Sequence, residues 1–459
     1  MGKLRFIAAL WAAKLCRPLL RLLGRNATNF PGEVALRICP DFLGQIGKPG
    51  RIVAVTGTNG KTTVCNIIVS VLERSGIRPL CNREGGNIAS GISAALAQGA
   101  SLTGKTKYDV GVLEVDERSA LRIFRYIEPE LLVITNLTRD SVMRNAHPAY
   151  IADFLTSAIP KKTKLILNGD DLITVGVAPE NPRAYFAIDS LPGDTVELRN
   201  RIDDLRVCPK CAGELKYVYR RYHHIGKAVC AVCGYTNPEP DYLGTDADPE
   251  NRRITVRERD GDWSCRLLSD STFNIYNIVT VAAALREFGL ARDVIAAALE
   301  KTELPSSRFH AAEGGGVTAV MQMAKDKNAF AISRVFDYLS GLPGKKEIIM
   351  MNSCIEDHVH GSENVCWMYD CDFEFLNTED ITRIVVTGPR YRDFYMRLLM
   401  AGVPEERLRQ TPKELDAPKE LALAEGEDVY ILYGTAGIEL AEKVQAATLR
   451  EAESRRSQA

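Results

Sequence analysis

A glycine loop that ends in a lysine is the strongest chemical signal in the sequence. Residues 56–63 read Thr-Gly-Thr-Asn-Gly-Lys-Thr-Thr and come directly after Ile52–Val55, a short apolar run that contains β-branched residues. A helical pattern of apolar residues then begins at Val64. In a strand, loop and helix of this kind, backbone N–H groups and the positive end of the helix dipole attract phosphate. The segment therefore predicts a nucleotide site, with an incidental glycine turn as the alternative.

The residue types suggest roles within this loop. Lys61 would reach the β- and γ-phosphates of ATP, and the hydroxyl of Thr62 would hold Mg²⁺. Val55 stands where the usual spacing has its first glycine. We predict that ATP is bound by Gly57, Thr58, Asn59, Gly60, Lys61, Thr62 and Thr63.

Four cysteines form the second chemical signal. Cys208 and Cys211 are separated by two residues, eighteen residues follow, and Cys230 and Cys233 repeat the first spacing. Two such pairs are typical of a tetrahedral zinc site. Because four thiolates leave no open position for a catalytic water, we predict that the zinc is structural. The alternatives are an iron–sulfur cluster, a redox pair or a chance arrangement.

The segment around these cysteines, at about 205–240, carries other polar residues. We expect His223 and His224 at the surface, because four thiolates already complete the shell of the metal. For the basic residues we expect a solvated face, with RNA, phospholipid or partner contact as the alternative. These residues are Arg206, Lys210, Lys216, Arg220, Arg221 and Lys227.

The composition excludes several classes of protein. Of the 459 residues, 46% are hydrophobic and 25% are charged, as in an average globular protein of two or three domains. The 58 basic and 59 acidic residues give a formal net charge of −1, which argues against a chain-wide nucleic-acid binder. Twelve cysteines are too few and too dispersed for a disulfide scaffold in a chain of this length. We therefore expect a cytoplasmic protein.

Strand-like and helix-like stretches alternate along the chain, which predicts an α/β fold with mostly parallel sheets. The predicted strands are Ile52–Val55, Val110–Val115, Leu131–Thr135, Leu165–Leu167, Glu347–Met351, Arg383–Thr387 and Val429–Leu432. Three glycines in Glu313–Gly316 suggest an interdomain boundary. The expected divisions are a helical segment at 1–50 packed on the core, an ATP-binding domain at 51–312 that contains the cysteine insert, a C-terminal α/β domain at 313–450 and a frayed tail at 451–459.

The first residues suggest an amphipathic helix. Apolar side chains recur at helical spacing at Leu4, Ile7, Trp11, Leu15 and Leu19. Lys14, Arg17 and Arg21 interrupt the apolar run well before the length of about 20 residues that a membrane span needs. We expect the helix to pack on the body of the protein through these apolar residues, with a helix lying on a membrane surface as the alternative.

The loop at 56–63 resembles that of the Mur ligase superfamily, ATP-dependent enzymes that join an amine to a carboxylate through an acyl phosphate. Segments similar to other family motifs follow in the family's order at 113–115, 135–140, 167–171, 273–277 and 307–309. The resemblance implies a central P-loop ATPase domain and a C-terminal Rossmann-like α/β domain. It also implies that Glu114 holds a second Mg²⁺ and that Arg308 approaches the phosphates. For Glu114, Asp116 and Glu117 the alternative is a solvated strand end. Asn274 and Asn277 would lie near the adenine.

With its zinc ribbon, the chain is similar in particular to the MurT-like family, the synthetase subunits of lipid II isoglutaminyl synthase. This resemblance implies that ATP phosphorylates the α-carboxylate of D-glutamate in the lipid II stem peptide, and that ammonia then displaces phosphate. No cysteine in the chain lies on the turn that a glutaminase nucleophile needs. The resemblance therefore implies a separate GatD-like glutamine amidotransferase subunit.

The MurT-like resemblance also concerns the partner's active site. In that family an aspartate of the C-terminal domain completes the catalytic pair of the glutaminase. Asp357 is the match we predict and Asp370 is the alternative, because the loop at 354–366 differs from the family pattern. A peripheral contact with the inner face of the membrane would suit a lipid substrate, and no contact with nucleic acid is expected.

Departures from the superfamily pattern leave two other functions open. Ser141, Ser307 and His310 stand where many amino-acid-adding members have other residues, and the C-terminal D-Y-A-H-x-P signature is missing. One alternative is a ligase of the folylpolyglutamate kind that adds an amino acid. The other is a non-catalytic zinc-ribbon protein that binds ATP, against which the intact Lys61 and Thr62 argue.

Overall fold

The chain forms two units, which are described separately. A computed structural model describes residues 2–22, 28–82, 86–139, 147–269, 271–303, 309–325, 327–351, 365–434 and 437–458. The first unit comprises 1–138, 147–199 and 203–304, and the second comprises 139–146, 200–202 and 305–459. Two of the predicted site residues, Arg308 and Asp357, lie outside the described residues.

The first unit is built on a nine-stranded sheet with the order β11-β10-β9-β6-β5-β4-β1-β3-β2. Its strands are β1 Arg51–Thr56, β2 Leu80–Cys81, β3 Val110–Glu114, β4 Leu131–Ile134, β5 Lys164–Asn168, β6 Arg183–Ile188, β9 Tyr242–Asp248, β10 Arg253–Glu258 and β11 Gly261–Arg266. Strands β7 Leu215–Tyr222 and β8 Ile225–Cys230 form a separate hairpin. Pairing is parallel from β2 to β9 and antiparallel from β9 to β11. The predicted parallel α/β architecture is therefore confirmed.

Helices accompany this sheet. They are α1 Gly2–Leu22, α2 Phe30–Ile38, α3 Phe42–Gln45, α4 Lys61–Arg74, α5 Ala89–Gly99, α6 Ala120–Phe124, α7 Pro148–Ala158, α8 Leu172–Val175, α9 Thr272–Phe288 and α10 Arg292–Glu300. Strand β4 is buried along its whole length, as expected for a central strand covered on both faces. Helix α9 is capped at its start by Ser271, whose hydroxyl accepts a hydrogen bond from the N–H of Asn274, and after its end by Gly289 in the left-handed conformation.

Helix α1 packs through a different face from the one predicted. Phe6, Ala9, Leu10 and Ala13 are its buried residues, and the ring of Phe6 lies 5.4 Å from that of Phe42. The predicted contact residues Leu4, Trp11, Leu15 and Leu19 are exposed instead. The helix therefore packs on the unit as predicted, and Ile7 is partly buried, but the predicted face was wrong because two faces of the helix are apolar and small alanines let the second face approach the core closely. Among the described residues, no helix combines the length and apolar character that crossing a membrane requires.

The second unit is built on a six-stranded sheet with the order β12-β13-β17-β14-β15-β16, in which only the β12–β13 pair is antiparallel. The elements are β12 Phe309–Gly314, β13 Val317–Met323, α11 Ala329–Gly341, β14 Lys346–Met351, α12 Trp367–Asp370, β15 Ile381–Thr387, α13 Tyr391–Met400, β16 Leu408–Thr411, β17 Asp428–Tyr433 and α14 Ile438–Gln458. This sheet also agrees with the predicted α/β class.

Two boundary predictions in this unit were wrong. Glu313–Gly316 is the end of β12 and the turn of the β12–β13 hairpin, inside the second unit rather than between domains. Gly315 and Gly316 have φ angles of 60° and 83°, which explains why the turn uses glycine. Residues 451–458 are the last turns of α14 and not a frayed tail, because Ala452 is buried against the unit and Arg455 donates to backbone carbonyls, including that of Leu421.

Candidate functional site

The loop between β1 and α4 lies at the carboxyl edge of the first sheet. Strand β1 runs between β3 and β4, with Val55 opposite Glu114 and Thr56 opposite Ile134. The segments that follow these three parallel strands therefore meet at one edge, where ligands bind in open α/β sheets. Lys61 is the first residue of α4, so the N–H groups of the first helical turn have no partner within the helix and face this edge.

Two glycines allow the loop to turn between strand and helix. Gly57 has a φ of 121° and Gly60 a φ of 87°, which are values that other residues rarely adopt. A Cβ on Gly57 would lie 2.3 Å from the Thr135 hydroxyl oxygen, and a Cβ on Gly60 would lie 2.8 Å from Oδ1 of Asn277. The spacing of the two glycines is therefore required by the geometry of the loop and its neighbours.

Thr58 and Asn59 fasten the loop to the segment after β4. The N–H of Thr58 donates to the Asn136 carbonyl at 2.8 Å, and its hydroxyl donates to the Thr138 carbonyl at 3.1 Å. The N–H of Asn59 donates to Oδ1 of Asn136 at 3.2 Å, and its carbonyl accepts from the Thr135 hydroxyl at 2.6 Å. Both residues were predicted to bind ATP. Since these groups bond within the protein, the donors directed at a phosphate would come from residues 60–63.

Lys61 lies among three carboxylates. Its ammonium forms an ion pair with Oε1 of Glu117 at 3.0 Å and also donates to the carbonyls of Gly57 and Thr58. Burial alone would lower the pKa of Lys61, but Glu117, then Glu114 and Asp116, outweigh it and raise that pKa. The lysine is therefore held as a cation at the edge of the sheet, the state needed to meet a polyphosphate.

Glu114 is held at the end of β3 by two asparagines. The Asn87 amide donates to Oε1 of Glu114 at 3.0 Å, and the Asn82 side chain bonds both the N–H and the carbonyl of Glu114, at 2.9 Å and 2.8 Å. Glu114, Asp116 and Glu117 are buried, so the alternative of a solvated strand end is wrong. Carboxylate and hydroxyl oxygens are ligands that Mg²⁺ accepts, so Glu114 and the half-buried Thr62 fit the predicted magnesium role.

The two asparagines of α9 occupy different environments. Asn277 is half-buried and its Oδ1 faces the position of Gly60 in the loop. Asn274 is buried, and its amide donates to the Ser269 carbonyl at 3.2 Å. Within the described part of the chain, Oδ1 of Asn274 has no hydrogen-bond donor. A buried acceptor of this kind fits a ligand that brings an N–H group, as adenine does.

Asp370, the alternative for the residue that completes the glutaminase, belongs to the second unit. It ends α12, and its carboxylate lies 3.5 Å from the guanidinium of Arg139, which is part of the same unit. Its side chain is about one quarter exposed. Asp370 is therefore accessible and already paired with a cation, while the position of Asp357 is outside the described residues.

The four cysteines of the insert form one cluster. Their sulfur atoms lie within 4.8 Å of one another, with 3.7 Å between Cys208 and Cys233 and 3.5 Å between Cys211 and Cys230. A tetrahedron of sulfurs at a Zn–S distance of about 2.3 Å has edges of about 3.8 Å. The N–H groups of Val232 and Cys233 donate to the sulfur of Cys230 at 3.4 Å, which favours a thiolate at that position. The cluster therefore fits a tetrahedral zinc ion.

The distances do not fit a pair of disulfides, which need a sulfur–sulfur bond of about 2.05 Å. All four cysteines are free thiols in the structure. The redox-pair alternative is therefore disfavoured, while the geometry leaves the iron–sulfur alternative open because both metals accept four thiolates.

The tip of the β7–β8 hairpin inserts its basic residues into the first unit. The Arg221 side chain is 2% exposed and bonds Oδ2 of Asp194 at 2.8 Å and Oδ2 of Asp170 at 3.3 Å. Arg221 also donates to the hydroxyl of Tyr276, which in turn donates to Asp170 at 2.7 Å. Because Tyr276 lies on α9 between the two asparagines, the hairpin directly contacts the helix that is predicted to bind adenine. The expectation of a solvated face is therefore wrong for Arg221 and for Arg220, which is also largely buried and pairs with Asp203.

His223 and His224 are buried, so the prediction of surface residues was wrong. Nε2 of His224 lies 3.2 Å from Oδ1 of Asp171. Burial alone would lower the pKa of His224 and raise that of Asp171, but their attraction reverses both directions, so they form a buried ion pair. Oδ2 of Asp171 also accepts from the N–H of Leu137 at 2.8 Å. The hairpin tip is therefore linked to the segment that holds the phosphate loop.

This ion pair makes a testable prediction. His224→Gln should destabilise the protein by about 3 kcal/mol, since it leaves a buried carboxylate without its cation. The folded-state pKa of His224 is raised, so its stabilising contribution is fully present below about pH 6.5 and is lost as the pH rises through the folded-state value. Urea unfolding of both proteins across pH 5–9 measures this difference. A difference that is constant with pH, or one equal to that of the exposed control His310→Gln, would contradict the ion pair.

Sequence reasoning missed several residues of this site. Glu117 was considered only as part of a solvated strand end, and Tyr276 was not considered. One signal was present for the first of them, because three acids within four residues follow a buried strand next to a phosphate loop. For Arg221 and His224 the sequence gives no signal, since only the tertiary position of the hairpin buries them.

Two families match this chain. A family described as Mur ligase middle domain matches residues 55–183, and one described as MurT ligase C-terminal matches residues 326–436. The first match contains the phosphate loop and Glu114. The second lies within the second unit. Together they cover the phosphate loop and four strands of the second sheet, β14 to β17.

Curated relatives agree with these matches. The subunit MurT of lipid II isoglutaminyl synthase (glutamine-hydrolyzing) from Streptococcus pneumoniae is 29% identical over 434 residues, which is 94% of each chain. The Staphylococcus aureus subunit of the same name is 29% identical over 398 residues, or 86% of this chain and 88% of the relative. A UDP-N-acetylmuramoylalanine–D-glutamate ligase from Corynebacterium jeikeium is 34% identical, but over only 36% of this chain and 32% of its own.

Solved structures share the fold. A pseudomurein peptide ligase type C from Methanothermus fervidus superposes with a TM-score of 0.65 at 19% identity, covering 88% of this chain and 80% of that one. MurF from Thermotoga maritima, in complex with ADP, has a TM-score of 0.57 at 15% identity over 93% and 85% of the two chains. These structures show the fold, while the two family matches and the two MurT subunits that cover 94% and 86% of this chain lead to one assignment. The chain is a MurT-like ligase of the Mur ligase superfamily.

Proposed function

We propose that the chain is the ATP-dependent synthetase subunit of a lipid II amidating enzyme. In the reaction, the γ-phosphate of ATP is transferred to the α-carboxylate of D-glutamate in the stem peptide, which releases ADP and forms an acyl phosphate. Ammonia attacks the acyl carbon, phosphate leaves, and a carboxamide remains. The relatives named MurT, which match at least 86% of this chain, supply the substrate and the reaction class.

The observation that carries this proposal is the cationic Lys61 at the edge of the sheet. It lies at the start of a helix whose free N–H groups face the same edge, and three buried carboxylates keep it charged. Polyphosphate of ATP would replace Glu117 as the partner of the ammonium. Positioning and charge stabilisation supply most of the catalysis in phosphoryl transfer, so this arrangement suits the first step.

Other residues have supporting roles in the proposal. The Thr62 hydroxyl and the Glu114 carboxylate would hold Mg²⁺, which neutralises charge on the transferring phosphate. Asn274 and Asn277 would bind the adenine, the first through its Oδ1, which has no donor among the residues that the structure describes. The cysteine cluster would hold zinc in a closed shell of four thiolates and so fix the β7–β8 hairpin against α9.

The ammonia would come from a separate glutaminase subunit. The relatives are named as subunits of a glutamine-hydrolyzing enzyme. We propose a GatD-like partner whose catalytic pair is completed by Asp357, with Asp370 as the alternative. The accessible carboxylate of Asp370 keeps that alternative open, although its pairing with Arg139 makes it less available.

One assay tests the proposed function. The purified chain is supplied with lipid II, ATP and Mg²⁺, and with ammonium, glutamine plus a candidate glutaminase, or a free amino acid. We expect conversion of carboxylate to carboxamide, with release of phosphate, when ammonium is present without any partner. Mass spectrometry of the muropeptide locates the new amide.

The amino-acid arm distinguishes this proposal from its rivals. An amino-acid adduct in place of the amide would identify a ligase of the folylpolyglutamate kind. Absence of any ATP-dependent product with ammonium would contradict the proposal.

The same assay assigns the aspartate that completes the glutaminase. If Asp357→Asn loses the partner-dependent activity with glutamine but keeps the activity with ammonium, the residue is Asp357. The same pattern in Asp370→Asn, with Asp357→Asn unaffected, would assign Asp370 instead.

A further inference from the structure

Helix α1 has an exposed apolar face that the fold does not use. The side chains on this face, here called the outward stripe, are Leu4, Trp11, Leu15, Leu19 and Leu22, which are 81%, 51%, 63%, 58% and 84% exposed. Their spacing places them on one side of a helix, away from the buried Phe6, Leu10 and Ala13. Isolated exposed leucines are common, but a contiguous row of large apolar side chains marks an interaction surface.

The apolar surface continues beyond the helix. The indole N–H of Trp11 donates to the Leu102 carbonyl at 3.0 Å, and the Leu102 side chain is 67% exposed. The hydrogen bond fixes the indole beside a second exposed leucine. Trp is enriched where proteins meet the boundary between lipid and water, because one part of its ring system is polar and the rest is apolar.

The charge around the stripe has one sign. Residues 1–32 contain six basic residues and no acidic one, although the whole chain has a net charge of −1. The exposed Lys3 and the half-buried Lys14 lie on one flank of the stripe and Arg5 lies on the other. Amphipathic helices that lie on anionic membranes combine an apolar face with Lys and Arg beside it. A protein partner would not require cations on both flanks.

We propose that α1 docks the chain on an anionic membrane surface, with the outward stripe in the acyl boundary and the exposed Lys3 and Arg5 at the phosphate headgroups. The helix is held from behind by its other apolar face and by hydrogen bonds from Lys14 to the Ala100 carbonyl and from Arg5 to the Ile38 carbonyl. The helix is therefore already formed and ordered before docking, so binding to the membrane carries no entropic cost for ordering it.

A cavity lies beside this helix. It measures about 260 Å³, and Arg17 of α1 lines it together with Cys81, Asn82 and Gln98. Asn82 is the residue whose side chain bonds the backbone of Glu114. A substrate whose lipid lies in the bilayer could therefore reach from α1 towards Glu114. This addition to the docking proposal rests on the proposed function.

The test uses the full chain and vesicles of phosphatidylglycerol and phosphatidylcholine, with pure phosphatidylcholine for comparison. We expect cosedimentation with the anionic vesicles, weakened by salt because screening reduces the headgroup attraction. Leu15→Glu/Leu19→Glu should weaken this binding by at least about tenfold, because it places two charges in the acyl boundary. The matched control is Met400→Glu/Leu415→Glu, two comparably exposed apolar residues of the second unit, which should bind like the unchanged chain.

Three results would overturn the proposal: no binding to anionic vesicles, equal losses in the stripe and control variants, or loss of vesicle binding when a glutaminase partner is bound. The last would show that the stripe is a protein interface.

Amidation of lipid II in detergent, compared with lipid II in vesicles, separates this proposal from the proposed function. The stripe variant should lose only the vesicle reaction. If no variant amidates lipid II in detergent, the proposed function fails while the vesicle measurement still decides the docking.

Discussion

Lys61→Ala is expected to reduce ATP-dependent ligation by about a hundredfold or more, because it removes the cation that meets the charge developing on the transferred phosphate. Single-turnover formation of ADP measures this loss. Arg74→Ala, at the exposed far end of the same helix, is the matched control and should retain full activity. Ligation close to the unchanged rate in Lys61→Ala would contradict the role of the loop.

The interpretation of that variant depends on its stability. Glu117 is buried, so removing Lys61 leaves a carboxylate without its ion-pair partner and can destabilise the fold by about 3 kcal/mol. Lys61→Met/Glu117→Gln removes both charges together and should restore much of the stability without restoring ligation. Recovery of ligation in the double variant would show that Lys61 has only a structural role. Thermal unfolding and ADP formation, measured on the same samples, separate the two effects.

Cys208→Ser is the second change with a large expected effect. Loss of one of four thiolates should release zinc and lower the melting temperature by more than about 10 °C, because the metal supplies much of the folding free energy of a small ribbon. The effect should also reach the nucleotide. Once the hairpin loosens, Arg221 no longer holds Asp170 and Tyr276, so we expect weaker ATP binding.

Cys265→Ser is the matched control for this experiment. Cys265 is as buried as Cys208 but lies on β11, outside the cluster. Elemental analysis should find one zinc per chain in the control and a deficit in Cys208→Ser, and calorimetry gives the ATP affinity of each. Iron in place of zinc would identify a cluster. Loss of metal with unchanged ATP affinity would contradict the link through Arg221.

Local patterns in the sequence are enough to predict the phosphate loop. Gly57, Gly60 and Lys61 belong to one short segment whose conformation depends on its own residue types, and the flanking strand and helix have clear periodicity. The parallel sheets follow from the same alternation. These features need no knowledge of distant contacts, which is why they agree with the structure.

Other features depend on contacts between distant residues. His224 and Arg221 read as polar residues of a surface hairpin, and only their pairing with Asp171 and Asp170 shows that they are buried. The buried face of helix α1 was predicted wrongly for a related reason. Leucines and Trp11 form the stronger apolar pattern, whereas the face that packs contains small alanines such as Ala9 and Ala13.

The way the second unit is assembled from the chain limits how the protein can be dissected. Its buried Asp372 accepts hydrogen bonds from the Asn200 amide at 2.8 Å and the Arg201 N–H at 2.6 Å, and both donors are more than 100 residues earlier in the sequence. A fragment of residues 305–459 would therefore retain every strand of its sheet but leave a buried carboxylate without these donors. Residues 200–202 come from elsewhere in the chain and are an integral part of this unit, so cutting the chain at residue 305 removes a part that the order of strands alone does not reveal.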